Sequence, residues 1–176
     1  MKPLSLITSI RNNIFARYPA CALTFFIIAA IYIFLYARLG QPAWHYSGWD
    51  SYSLQAQAWL KGKIELEENF ENLELVVYKG KVHHPFPPVP AIPMALACSL
   101  WGPTPPNSLF TTIYCILSFL ILYALGRRCG QTDRNSTFWA FFCVFGSNLL
   151  ALSVNGGVWS QAQTLGFLFT CLALYA

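Results

Sequence analysis

Asp50 is the residue in this chain best suited to take a proton. It stands in the run Gly48-Trp49-Asp50-Ser51-Tyr52, shortly after a long apolar stretch and between large aromatic neighbours. Partial desolvation at such a place raises a carboxyl pKa and makes it a better proton acceptor. The same position also suits a helix cap, because an Asp side chain accepts from the free backbone N–H groups of the turn that follows. The two roles can coexist. His45, His83 and His84 could titrate, bind phosphate or bind a metal. An adjacent His pair is weak evidence for a metal site, since neighbouring strand side chains point to opposite faces. Lys79 and Lys81 alternate onto one face of a hairpin and could meet an anion, although solvated lysines are the default. Trp159 follows Asn155-Gly156-Gly157-Val158, where the Gly pair permits a tight turn, and a Trp there suits a membrane interface. Asp50 is thus the catalytic candidate, with Tyr52, Lys79, Lys81, His83, His84 and Trp159 as candidate substrate contacts.

The elements that must position these residues follow from composition. Of 176 residues, 56% are hydrophobic and only 10% charged, where soluble domains carry roughly 25% charged residues. So apolar a chain cannot hide its excess in one small core. That excludes a soluble cytoplasmic enzyme, a disordered chain and a nucleic-acid binder, and leaves an integral membrane protein. A bilayer crossing needs about 20 mostly apolar residues in helix. Residues 20–39, 107–126 and 136–154 are such stretches, and 161–176 begins a fourth that the sequence ends inside. The expected fold is an all-α polytopic membrane protein of about four transmembrane helices. Residues 1–19 form a leader, 40–106 a long outer loop, 127–135 an inner loop and 155–160 an outer turn.

Orientation follows from Lys and Arg near the span ends. The leader carries Lys2, Arg11 and Arg17, and the 127–135 loop carries Arg127, Arg128 and Arg134, so both belong in the cytoplasm. Six of the seven acids lie in the 40–106 loop, which then faces outward. The segment Pro88 to Trp101 is apolar, but it is short and holds three prolines, which suits an interfacial segment better than a crossing. The expected location is the bacterial inner membrane with the N-terminus inside.

Within the outer loop, Ser51 to Lys61 reads as an amphipathic helix lying along the membrane. Tyr52, Ala56, Trp59 and Leu60 would share its apolar face, while Ser53, Gln55, Gln57 and Lys61 face away, and Gly62 stands at its end. Glu65, Glu67, Glu68, Glu71 and Glu74 form an acidic stretch without metal-ligand spacing, which reads as a solvated face. Leu73 to Tyr78 and Lys81 to His84 flank Lys79-Gly80 as a β-hairpin turn. His84-Pro85-Phe86-Pro87-Pro88 makes a stiff entry to the interfacial segment. Cys21, Cys98, Cys115, Cys129, Cys143 and Cys171 show no zinc or redox spacing and read as packing residues.

The order of these pieces resembles the GT-C superfamily of integral-membrane glycosyltransferases, which includes protein O-mannosyltransferases and the aminoarabinose transferases of lipid A. The residues that carry the resemblance are Gly48-Trp49-Asp50-Ser51-Tyr52 entering Gln55-Ala56-Gln57-Ala58-Trp59-Leu60-Lys61-Gly62, and then the His84-Pro85-Phe86-Pro87-Pro88 run. The resemblance implies an essential acid after the first span and two membrane-parallel helices in the outer loop. It implies Asp50 as general base, a polyprenyl-phosphate sugar as donor, and a hydroxyl of a glycan, lipid or protein as acceptor, with inversion. His83, His84, Lys79 and Lys81 are the donors available to the leaving phosphate. Where several relatives have two adjacent acids, Asp50 is followed here by Ser51. A second acidic motif that holds metal in some relatives has no clear counterpart, so a divalent metal stays open and no other cofactor is implied. Relatives usually run to several hundred residues, so the chain reads as the N-terminal part of a longer enzyme.

The alternative from another class is a non-catalytic membrane subunit, or a truncated paralogue, whose outer loop binds a lipid-linked glycan. A transporter is disfavoured because the spans carry almost no ionisable residues. A nucleic-acid partner is disfavoured because the few basic residues sit where topology needs them.

Overall fold

The computed structural model describes residues 18–176, so the leader basics Lys2, Arg11 and Arg17 lie outside the described residues. The chain is mainly helical. Its elements are α1 (Pro19–Leu39), α2 (Ser51–Leu60), β1 (Val76–Tyr78), β2 (Lys81–His83), α3 (Ala91–Trp101), α4 (Asn107–Arg128), α5 (Asp133–Phe145), α6 (Leu149–Ser153) and α7 (Val158–Tyr175).

Helices α1 and α4 are long and apolar enough to cross a bilayer, with mean hydropathy of 2.3 and 2.1 over their best stretches. Pro19 opens α1, where its missing N–H costs nothing, and Gly40 closes it in the left-handed conformation at φ 64°. Most of α1 is not covered by the rest of the protein: Phe26, Ile33 and Phe34 all stand exposed.

The expected continuous third span is broken. Helix α5 ends at Phe145, and α6 covers only Leu149–Ser153. Gly146-Ser147-Asn148 supplies the break, since the Ser147 hydroxyl donates to Val144 O at 3.1 Å and accepts from Leu149 N at 3.3 Å. Such local side-chain bonds compete with the helical ladder. Helix α7 starts at Val158, earlier than the expected 161, and its first turns carry Ser160, Gln161, Gln163 and Thr164.

Helix α4 packs against both α5 and α7, and α1 packs on α5. Ile28, Tyr32, Tyr36, Phe119, Val144 and Phe145 form the main core. Polar bonds join the helices within it. Tyr32 donates to Ser153 Oγ at 2.9 Å, and the Thr111 and Thr112 hydroxyls donate to Ser153 O at 2.9 and 2.8 Å. Short hydroxyl residues that bond across helices are a common glue in apolar surroundings. Gly126 lets α4 approach α5, because a Cβ there would lie 2.8 Å from Ser136 Oγ. At that end of the bundle, Asp133 accepts from Ala20 N and from the Tyr123 hydroxyl, both at 2.8 Å.

A second layer caps the opposite end. Helices α2 and α3 pack together through Tyr52, Ala56, Met94, Ala97 and Cys98, with Val158 of α7 beneath. Helix α3 has 11 residues, about 16 Å, which is too short to cross a bilayer. The hairpin pairs Val76 with His83 and Tyr78 with Lys81. Its two-residue turn has positive φ at both Lys79 (51°) and Gly80 (74°), the geometry that matches strand twist. The strands are shorter than the expected Leu73–Tyr78 and Lys81–His84.

Candidate functional site

The site begins with the first turn of α2. Asp50 is its N-cap: Oδ1 accepts from Tyr52 N at 3.0 Å and from Ser53 N at 3.3 Å. Oδ2 accepts from the Ser53 hydroxyl and from Asn107 Nδ2, the latter at 2.9 Å. The carboxylate is 1% exposed. Burial pushes its pKa up, against hydrogen bonds from Asn107, Ser53 and Gln161 that pull it down. No Lys or Arg pairs with it among the described residues, where the ion pairs join Lys61 and Lys63 to Glu67 and Lys81 to Glu65.

Asn107, the first residue of α4, ties three segments together. Its Oδ1 accepts from Ser47 N at 2.8 Å, and its Nδ2 also donates to Ser47 O at 3.1 Å. The 155–158 segment closes over this side chain. A Cβ on Gly156 would lie 2.1 Å from Asn107 Oδ1, so only glycine fits. Val158 N donates to Trp49 O at 2.8 Å, and Gln161 Nε2 donates to Gly156 O at 2.8 Å. Thus the starts of α2, α4 and α7 meet around one carboxylate.

An aromatic chain runs from this point. The Tyr52 and His84 rings lie 4.6 Å apart, His84 and Phe86 5.3 Å, and Phe86 and Trp159 4.8 Å. The structure therefore brings together Asp50, Tyr52, His84 and Trp159 from the sequence candidates. Burial pushes His84 down to about 4, against a smaller upward pull from the Phe86 backbone. His84 is then a neutral imidazole at neutral pH. The Tyr52 phenol is pushed up to about 12 by burial and by the charge of Asp50.

The other three candidates sit in the hairpin. Lys81 Nζ is held by Glu65 at 2.7 Å, and Lys79 lies over the Tyr78 ring at 5.2 Å. Lys79 occupies the turn, so the expected strand alternation that put both lysines on one face does not apply. No hydrogen bond, ion pair or ring contact joins Lys79, Lys81 or His83 to the Asp50 group among the described residues. Helix α2 also departs from the expected two-faced pattern. Ser53 and Gln55 are buried with Tyr52 and Ala56, because Ser53 serves the carboxylate, whereas Leu60 is exposed.

The divalent metal left open by the resemblance finds no donor set here. No three His, Cys, Asp or Glu side chains gather among the described residues. The Asp50 oxygens face N–H and O–H donors, which present positive hydrogens where a cation would have to sit.

Nothing local in the sequence marks Asn107. Beside its contact to Ser47 opens a cavity of about 490 Å³, lined by Leu39, Gln41, His45, Tyr46, Ser47, Gly48, Trp49, Ser108, Ala151, Val154, Asn155 and Gly156. Asp50 does not line it but is linked to its wall through Asn107. Comparison with known protein families, with curated proteins and with solved structures finds no match for this chain.

Proposed function

We propose that the chain is a module of an integral-membrane glycosyltransferase that uses a polyprenyl-phosphate sugar. The observation that carries this reading is the convergence of α2, α4 and α7 on the buried Asp50, at one end of a helical bundle with an apolar exterior. Exposed Phe26, Ile33 and Phe34 on α1, Phe138 and Phe142 on α5, and Phe169 and Leu172 on α7 suit lipid rather than water. In this reading α1, α4, the α5–α6 pair and α7 are the four membrane elements. The α2–α3 layer lies at the outer surface of the bacterial inner membrane, with the chain's start in the cytoplasm.

In the reaction, an acceptor hydroxyl attacks the anomeric carbon while the bond to the lipid phosphate breaks. The phosphate leaves with the bonding electrons, the configuration inverts, and Asp50 takes the proton. Burial prepares Asp50 for this by raising its proton affinity.

A second reading, a non-catalytic module that binds a lipid-linked glycan, is favoured by one observation. Among the described residues the hydrogen bonds to Asp50 are all internal, and the group is closed to solvent. Asp50→Asn separates the two, because Asn caps a helix about as well as Asp but accepts no proton. Transfer from a polyprenyl-phosphate sugar in reconstituted vesicles, lost in a variant that still unfolds cooperatively, supports the base. Unchanged transfer refutes it.

A further inference from the structure

The cavity of about 490 Å³ beside Asn107 falls in the range of roughly 300–1,000 Å³ typical of small-molecule sites. Its lining is chemically uniform in one respect: among the described residues it contains no Asp, Glu, Lys or Arg. A phosphate, a uronate or a phospholipid headgroup would meet no Lys or Arg there, with His45 as its one titratable nitrogen base, and an amino sugar would meet no acid. What the wall does offer is the amides of Gln41 and Asn155, the imidazole of His45, and the rings of Tyr46 and Trp49. Trp49 is 61% exposed and lines the cavity, which leaves it available for contact. Leu39, Ala151 and Val154 supply an apolar floor. Neutral donors and acceptors around aromatic and aliphatic faces are the chemistry that fits a pyranose, whose edge is polar and whose C–H face is apolar.

We propose that this cavity binds a neutral sugar, the acceptor glycan of the transfer reaction, through Trp49, Tyr46, Gln41 and Asn155. Its role as acceptor rests on the transferase reading, whereas the binding of a neutral sugar is a property of the cavity itself. Ser47, which lines the wall, and Asp50, which would receive the proton, are both bonded to Asn107. The sugar would thus be registered against the base by one side chain.

The test is saturation-transfer NMR on the whole chain in detergent micelles with four probes: a neutral methyl hexoside, a methyl glucuronide, a methyl glucosaminide cation and phosphocholine. The expected result is transfer to the neutral glycoside above the other three. Trp49→Ala should weaken its binding about tenfold, the worth of one aromatic stack. Gln41→Ala, a change at an exposed side chain, should weaken it as well without disturbing the fold. Equal or stronger transfer to a charged probe, no transfer to the hexoside, or wild-type binding in both variants would overturn the proposal. Binding needs neither donor nor turnover. Failure of the transfer assay therefore leaves this result untouched, and failure here leaves the transfer assay standing.

Discussion

Asn107 Nδ2 donates to Asp50 Oδ2 at 2.9 Å across 57 positions of sequence, and the same amide holds both backbone groups of Ser47. One side chain thereby fixes the exit from α1, the start of α2 and the start of α4. Asn107→Ala removes all three bonds and leaves a buried carboxylate short of a donor. The expected loss is about 2 kcal/mol or more, read as a lower unfolding midpoint in detergent. A midpoint within error of wild type would mean that the junction does not depend on this amide.

Gly156 is required by space rather than by backbone angle. Its Cβ would fall 2.1 Å from Asn107 Oδ1 and 2.6 Å from Ser108 N, which belongs to the main chain and cannot swing aside. Gly156→Ala should therefore cost about 1–3 kcal/mol, as overpacking does. Gly48 stands in the same neighbourhood with nothing within 4 Å of its Cβ position among the described residues. Gly48→Ala should stay within about 0.5 kcal/mol of wild type. Unfolding midpoints that fail to rank the two variants in this order would refute the packing account.

The contrast between these glycines shows what sequence could convey. A cap at Asp50, the Lys79-Gly80 turn and the end of α2 at Gly62 are local events, and the residue types that make them are legible in the sequence. The bounds of α1 and α4 follow from unbroken apolar runs. Asn107 is different, because its partner is remote and an Asn after Pro-Pro carries no mark of burial. Gly156 looked like a turn residue, and only the fold reveals that a neighbouring amide fills the space beside it. The break after Phe145 was hidden because Gly146-Ser147-Asn148 is flanked by residues apolar enough to carry a span across it. The separation of His84 from His83 depends on the hairpin ending at His83, which periodicity places only within a residue or two.

In the proposed topology, Cys129 lies on the cytoplasmic side. It follows Arg128 at the exposed end of α4, where Arg127 and Arg128 stand in the last turn. A membrane-impermeant maleimide should leave it unlabelled in intact cells and label it after permeabilisation. Cys143 is also exposed, but on α5 beside Phe142, facing lipid in this reading, out of reach of a water-borne reagent. Labelling of Cys129 in intact cells would invert the topology and remove Asp50 from the outer surface.

The two buried titratable groups of the site should pull stability in opposite directions as pH falls. Asp50 has a pKa above its ordinary 3.8 in the fold, so the folded state binds more protons than the unfolded chain above that pH. Its contribution therefore improves on acidification and worsens as pH rises. His84 is depressed from 6.5 to about 4, so between those values the unfolded chain binds the extra proton. Its contribution is lost as pH falls through that window and changes no further below it. Wild type should show a partly cancelled response between pH 6.5 and 4. Asp50→Asn leaves the His84 effect alone and should lose stability more steeply on acidification than wild type. His84→Phe, which keeps an aromatic ring between Tyr52 and Phe86, should lose less stability than wild type, or gain. Surface carboxylates such as Glu65 and Glu67, held below their usual range by Lys81, Lys61 and Lys63, are common to all three proteins and drop out of the differences. Unfolding midpoints at stepped pH give the test, and parallel curves for the three proteins would mean that neither group is perturbed by its burial.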